Sequence, residues 1–231
     1  MKTEVFHQIE GIVLQFVPFK ERDTILTLFT AEEGIIKLFV RGSRRLAPQL
    51  QALISPFTVG EYLYTQGNSS LHRFHEGKIL QQNIRLRDAF LCFEAASKLG
   101  QAVLKSQWQG KASPGLYQLF CQCLEKIPTL STPEALLPLF LLKILKVEGL
   151  LHTQPLCNVC NTSLKDALRQ GGECFCPTHA PENALLFSEE EQLHLRLLSQ
   201  SRSFQEILSQ DISFVFSQKV ATLFDQVFNH S

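Results

Sequence analysis

The chain has 231 residues, 45% of them apolar and 19% charged, and its 22 basic and 22 acidic side chains balance to a formal charge of zero. Such a composition excludes a disordered tail or low-complexity linker and allows one large domain or two modest ones. It also excludes a globally basic nucleic-acid binder, so any DNA site must be a local patch.

Along the chain, residues 1–6 lack the basic flank, apolar stretch and small-residue cleavage site of a secretory signal. From Gly11 to about Asn83 apolar residues alternate over short runs separated by turn residues, which predicts five antiparallel strands at 11–19, 24–30, 35–41, 57–66 and 71–80. Five strands in so short a span suggest a small closed barrel of OB or SH3-like type. The aromatic residues Phe16, Phe29, Phe57 and Tyr62 are expected to pack in it.

From Ile84 onward the apolar period becomes helical, so the predicted class is α+β, with a barrel over 1–83 and a helical domain over 84–231. Ser113-Pro114 and Thr132-Pro133 read as helix starts with a hydroxyl N-cap and proline at the first position. Ser188 with Glu191 reads as a capping box. Residues 136–145 are apolar almost all round and predict the central helix, while Pro138, Lys143 and shortness argue against a membrane span. The expectation is a soluble, cytoplasmic protein.

Between the central helix and the capping box lies an irregular insertion, about 151–187. It holds Cys157-x2-Cys160-x15-Cys176-x2-His179, the most specific signal in the chain. Two residues between ligands let both side chains meet one ion, and four sulfur or nitrogen donors close a tetrahedral shell around one structural Zn2+ with no open catalytic position. Cys174 is an alternative fourth ligand, Gly171-Gly172 supplies a tight turn, and free thiols that have lost the metal are the competing reading. Cys92, Cys121 and Cys123, in apolar helical segments, read as buried thiols.

The third strand offers the best local DNA patch. A period of two sends Ile36, Leu38 and Val40 to one face and Lys37, Phe39 and Arg41 to the other, and Arg44 and Arg45 extend the positive stretch into the next loop. Cations interleaved with an aromatic ring suit a barrel that holds phosphates while a base stacks. The competing reading is a solvated strand face with Phe39 under a loop. His72 and His75 read as surface or satisfied histidines, and Glu21 and Asp23 as a turn. The P-loop, H-E-x-x-H and G-x-S-x-G signatures are absent from the sequence, so a non-enzymatic role is expected.

The residues also resemble the RecO family over nearly the full length. The resemblance rests on Gly11-Ile12-Val13-Leu14, on 21–30, on Glu33-Gly34, on Arg41 to Arg45 with Pro56-Phe57, and on Glu148-Gly149-Leu150 running into the cysteine pair with Gly171-Gly172 before the second. It implies an OB-fold followed by a helical domain with a small zinc-knuckle-like insertion. It further implies binding of single- and double-stranded DNA, strand annealing, partnership with RecR, and help in loading the recombinase RecA onto DNA coated by single-strand-binding protein. Two departures stand out: Ala47, Pro48 and Gln49 occupy a loop that is usually more basic, and His179 stands where a cysteine is usual. An alternative function is a protein-docking scaffold with a purely structural barrel, in which a groove near Phe140, Lys143 and Lys146 receives the acidic, apolar C-terminal tail of single-strand-binding protein. A zinc hydrolase is a third reading.

Overall fold

Strand alternation, interrupted by three register shifts, shapes the N-terminal part of the molecule. A computed structural model describes residues 5–42, 47–67, 69–201, 204 and 212–229. The predicted strands form as β1 (Phe6–Phe19), β2 (Asp23–Thr30), β3 (Gly34–Val40), β4 (Val59–Thr65) and β5 (Leu71–Gln81). They close a barrel in the order β1-β2-β3-β5-β4, with β3 and β5 parallel. A short helix, α1 (Pro48–Leu53), lies between β3 and β4 and sends Leu53 into the core with Val13, Leu26, Leu28, Ile36, Leu38, Tyr62 and Tyr64.

One long strand serves two neighbours in succession. The first half of β1 pairs with β4 and the second half with β2, and the register shifts between Val13 and Gln15. That bulge breaks the inside-outside alternation. Phe29, Phe57 and Tyr62 are buried, but Phe16, expected in packing, is 46% exposed, in a stretch from Gln15 to Phe19 that is exposed on both faces of the strand.

Two helices, α2 (Phe90–Ser106) and α3 (Pro114–Lys126), belong to the same compact unit as the barrel, residues 1–133. Phe29 on the outside of β2 meets Tyr117 and Phe120 of α3 at ring separations of 5.7 and 6.3 Å, and Tyr117 donates to Glu10 at 2.9 Å. The sequence pattern changes at residue 84, where strands give way to helices. The compact unit ends later because these two helices cover barrel side chains. Pro114 opens α3 as expected, but the Ser113 hydroxyl donates to Gln107 Oε1 at 2.8 Å instead of capping the helix. Thr132-Pro133 leads into a single 3-10 turn, not directly into a helix.

In the second unit, residues 134–231, α4 (Leu136–Val147) packs against α5 (Glu189–Gln200) and α6 (Phe214–Phe228). Leu136, Leu139, Phe140, Leu142, Ile144 and Leu145 of α4 are completely buried, so this is the core helix that its all-round apolar surface predicted. The capping box before α5 is present, with Glu191 N–H donating to Ser188 Oγ at 3.2 Å and Ser188 N–H to Glu191 Oε2 at 2.9 Å. The insertion is more regular than the sequence suggested. It contains β6 (Ala167–Gln170), β7 (Glu173–Phe175) and β8 (Leu185–Phe187) in the order β7-β6-β8. Strands of three or four residues are too short for alternation to register in a sequence.

Candidate nucleic-acid face and metal centre

On β3 the alternation resolves the two faces as expected. Ile36, Leu38 and Val40 are buried in the barrel, Lys37 and Arg41 are exposed, and Phe39 is half-buried on the outside. Phe39 meets the edge of Phe19 at 6.0 Å, and the Lys20 ammonium lies 5.4 Å from the Phe19 ring. The Gly42 N–H donates to Asp23 Oδ1 at 2.9 Å, fastening the end of β3 to the start of β2. Asp23 therefore has the structural role expected for that turn. Arg44 and Arg45 lie outside the described residues.

The parallel contact with β5 adds a cation that the sequence reading missed. Phe39 stands beside Arg73, an exposed residue whose neighbours His72 and Phe74 are buried. Together Phe39, Arg41, Gly67, Leu71, His72 and Arg73 line an open recess of about 480 Å3. The alternation of buried His72 and Phe74 around it puts Arg73 on the outer face, a signal the sequence carried but the reading did not use. Only strand order placed it next to Phe39. His72 stacks obliquely on Tyr64 at 5.2 Å and its Nε2 is 3.2 Å from Gln109 Nε2, while His75 Nε2 is 2.9 Å from the Thr65 hydroxyl. Both imidazoles are satisfied, as expected. Burial holds His72 below the ordinary histidine range, although Glu33 pulls it the other way.

The metal centre is assembled by two short loops. In the first, Cys157 N–H donates to Thr162 O, Asn161 N–H donates to Cys157 O, each at 2.9 Å, and Asn161 takes a left-handed φ of 58°. The second loop closes through His179 N–H to Cys176 O at 3.0 Å. Asn158 joins the two, its N–H donating to Cys174 O at 2.8 Å and its Oδ1 accepting from Cys174 N–H at 3.4 Å.

These contacts bring the ligand atoms of Cys157, Cys160, Cys176 and His179 within 4.8 Å of one another. Cys157 Sγ to His179 Nδ1 is 3.7 Å, Cys176 Sγ to His179 Nδ1 is 3.2 Å, and Cys160 Sγ to Cys176 Sγ is 3.9 Å. Zinc bonds of ~2.3 Å to sulfur and ~2.0 Å to nitrogen in a tetrahedron require ligand separations of roughly 3.5 to 3.8 Å. The residues therefore fit a closed, four-ligand metal site. Cys174 is fully buried and is not one of the four, being paired across β6–β7 with Arg169.

The electrostatics favour the thiolate forms of Cys157 and Cys160. Burial alone would raise the Cys157 thiol, but amide N–H groups of Cys160, Cys176 and Val159 outweigh it and bring the thiol down to about 5. Cys160 is lowered chiefly by the Thr162 hydroxyl. Thiolate character is what a zinc ligand needs.

Two features outside the motif support the centre. Gly171 and Gly172 form the two-residue turn between β6 and β7, and a Cβ on Gly172 would fall 1.4 Å from Leu150 O. Arg169 of β6 is completely buried. Its Nε and a terminal nitrogen donate to Gln192 Oε1 at 3.1 and 2.7 Å, and its other terminal nitrogen donates to His152 O at 2.9 Å. The guanidinium thereby ties the small sheet to α5 and to the segment entering the metal loop.

A five-stranded barrel of this order, with a helix between the third and fourth strands, is an OB-fold, and here it precedes a helical unit bearing a Cys3His knuckle. The fold and site thus define a two-part α+β protein, an OB barrel followed by a helical domain with a zinc-knuckle-like insertion. Residues 1–83 match the family model described as Recombination protein O N terminal, and residues 95–214 match Recombination protein O C terminal. The chain is 31% identical over 221 residues to a DNA repair protein RecO of Chlamydia pneumoniae, covering 95% of this chain and 87% of that protein. It is 30% identical over 202 residues to a DNA repair protein RecO of Chlamydia muridarum, covering 87% and 86%. A DNA repair protein RecO of Halalkalibacterium halodurans is 29% identical over 159 residues, 69% of this chain and 62% of that protein. The chain belongs to the RecO family of DNA repair proteins. Among the described residues no helix is long and apolar enough to cross a membrane.

Proposed function

We propose that this chain is a non-enzymatic recombination mediator that binds single- and double-stranded DNA through its barrel, anneals complementary strands and helps load RecA onto DNA coated by single-strand-binding protein, in partnership with RecR. The observation that carries the reading is the outer face of β3 and β5, where Lys37, Arg41 and Arg73 surround the half-exposed ring of Phe39. Cations provide sequence-independent attraction to phosphates, and the ring offers a stacking surface to an unpaired base. Residues 1–83 are the DNA-binding part in this reading, with Arg44 and Arg45 extending the face. Cys157, Cys160, Cys176 and His179 hold one structural Zn2+ that stiffens the insertion of the domain from residue 84 onward. The protein acts in the cytoplasm.

A purely protein-docking role is less well supported. Phe140, around which a groove for the tail of single-strand-binding protein was expected, is completely buried in α4.

Binding to fluorescently labelled single-stranded DNA, followed by anisotropy across a salt series, tests the proposal. Each phosphate contact adds a slope of about −0.7 to the dependence of log affinity on log salt. Removing Arg41 and Arg73 together should flatten the slope by roughly 1.4, and Phe39→Ala should weaken binding by about 1 to 3 kcal/mol with little change in slope. Unchanged affinity and slope in both variants would remove the basis for a DNA face here.

A further inference from the structure

We propose that the single-strand track does not end on the barrel but runs onto Trp108 and Lys111, in the segment joining α2 and α3. The inference rests on the DNA-binding reading of the outer β3 face and extends it to residues outside the barrel.

The first argument is placement. Ile35 N–H donates to Trp108 O at 3.2 Å, and Gly34 forms an antiparallel bridge with Gln109. This segment therefore continues along the β3 edge that β5 occupies beside Lys37 and Phe39. Ile35, Lys37, Phe39 and Arg41 alternate onto one face of the chain. Trp108 is anchored at the first of these and the Phe39 recess lies four residues on. At ~3.3 Å per residue that is about 13 Å, well within the length of strand that a single OB barrel engages.

The second argument is rigidity. Gly110 N–H donates to Glu33 O at 2.8 Å and Ser113 N–H to Ala31 O at 2.9 Å, so the segment is bonded to the β2–β3 turn on both sides of Lys111. Gly34 has a φ of +65°, and a Cβ there would sit 2.3 Å from Trp108 O and 2.6 Å from Lys111 O. The turn and the segment approach so closely that only glycine fits. Gln109 also reaches His72, whose neighbour Arg73 flanks Phe39. Both aromatic platforms thus hang on one bonded network, which lowers the ordering cost of binding.

The third argument is chemistry. Trp108 is 58% exposed, and the Lys111 ammonium lies 4.0 Å from its ring centroid. At Phe39 a ring likewise has a cation as its register partner, Arg73, and Lys37 lies between Ile35 and Phe39 along β3. A base stacks on the indole while Lys111 meets an adjoining phosphate.

Trp108 is the only tryptophan in the chain, so its emission reports on this site alone. Wild-type protein is titrated with oligothymidylate while intrinsic fluorescence and the anisotropy of a labelled strand are both read. The expected result is quenching of Trp108 that saturates together with the anisotropy. Trp108→Ala should then weaken binding about five- to a hundredfold, Trp108→Phe should restore most of it, and Lys111→Ala should flatten the salt slope by about 0.7. Trp108→Ala protein that binds as tightly as wild type overturns the extension, while normal anisotropy binding leaves the barrel reading standing. Failure of the wild type to bind single strands at low salt overturns both.

Discussion

Arg169 offers a sharp test of how the metal-bearing insertion is held together. Its guanidinium is fully buried, and the acceptors of its three hydrogen bonds are an amide oxygen and a backbone carbonyl, neither carrying a charge. Burial accordingly lowers its proton affinity. Truncation by Arg169→Ala strands Gln192 Oε1 and His152 O, next to a Gln192 Nε2 that already has no partner among the described residues. Leaving these two neutral acceptors without a donor costs about 1 to 3 kcal/mol each. The double variant Arg169→Met with Gln192→Leu removes the cation and its chief acceptor together and refills the volume, which should bring the loss to within about 1 to 2 kcal/mol of wild type. Trp108 lies in the other compact unit, so its fluorescence does not report this change. Native-state amide hydrogen exchange of Ala167–Gln170 and Glu189–Gln200 does. A loss below about 1 kcal/mol for Arg169→Ala, or a double variant no better than the single, would refute the view that this guanidinium clamps β6 to α5.

Gly172→Ala should disorganise the metal loop, since its Cβ would collide with Leu150 O, whereas Gly110→Ala meets no atom within 4 Å and is disfavoured only by its φ of +80°. Zinc retained after gel filtration in competition with a chelator, read as moles of metal per mole of protein, should drop for the first variant and hold for the second. His72 gives a pH dependence of known sign. Its folded value is depressed by burial, so an unfolded chain takes up a proton near pH ~6.5 while the folded imidazole still resists. The stability it contributes is complete above that pH and is lost as pH falls toward the depressed value. Urea midpoints followed by Trp108 emission should therefore drop more for wild type than for His72→Gln between about pH 8 and about pH 5.5, and equal drops would show that His72 is not responsible.

Much of this molecule was legible locally. Alternation located five strands and separated Lys37, Phe39 and Arg41 from Ile36, Leu38 and Val40, because the pleat puts successive side chains on opposite faces whatever the strand pairs with. The Cys-x2-Cys and Cys-x2-His spacings identified four side chains that do converge, since each pair needs only a tight local turn. Ser188 and Glu191 formed their capping box for the same reason, all of its atoms lying within one helical turn.

Tertiary structure decided whatever depends on neighbours distant in sequence. Phe16 pairs with the buried Leu26 yet is exposed, because the end of β1 from Gln15 to Phe19 is uncovered on both faces, and no local pattern announces that. Arg73 joins Phe39 only because β5 lies parallel to β3. No sequence pattern singles out Arg169 in its four-residue strand, yet it is completely buried and bonded to Gln192 of α5 and to the His152 carbonyl. Periodicity records which face a side chain occupies, while partners are chosen by strand order and packing. Those depend on free energy summed over the whole fold.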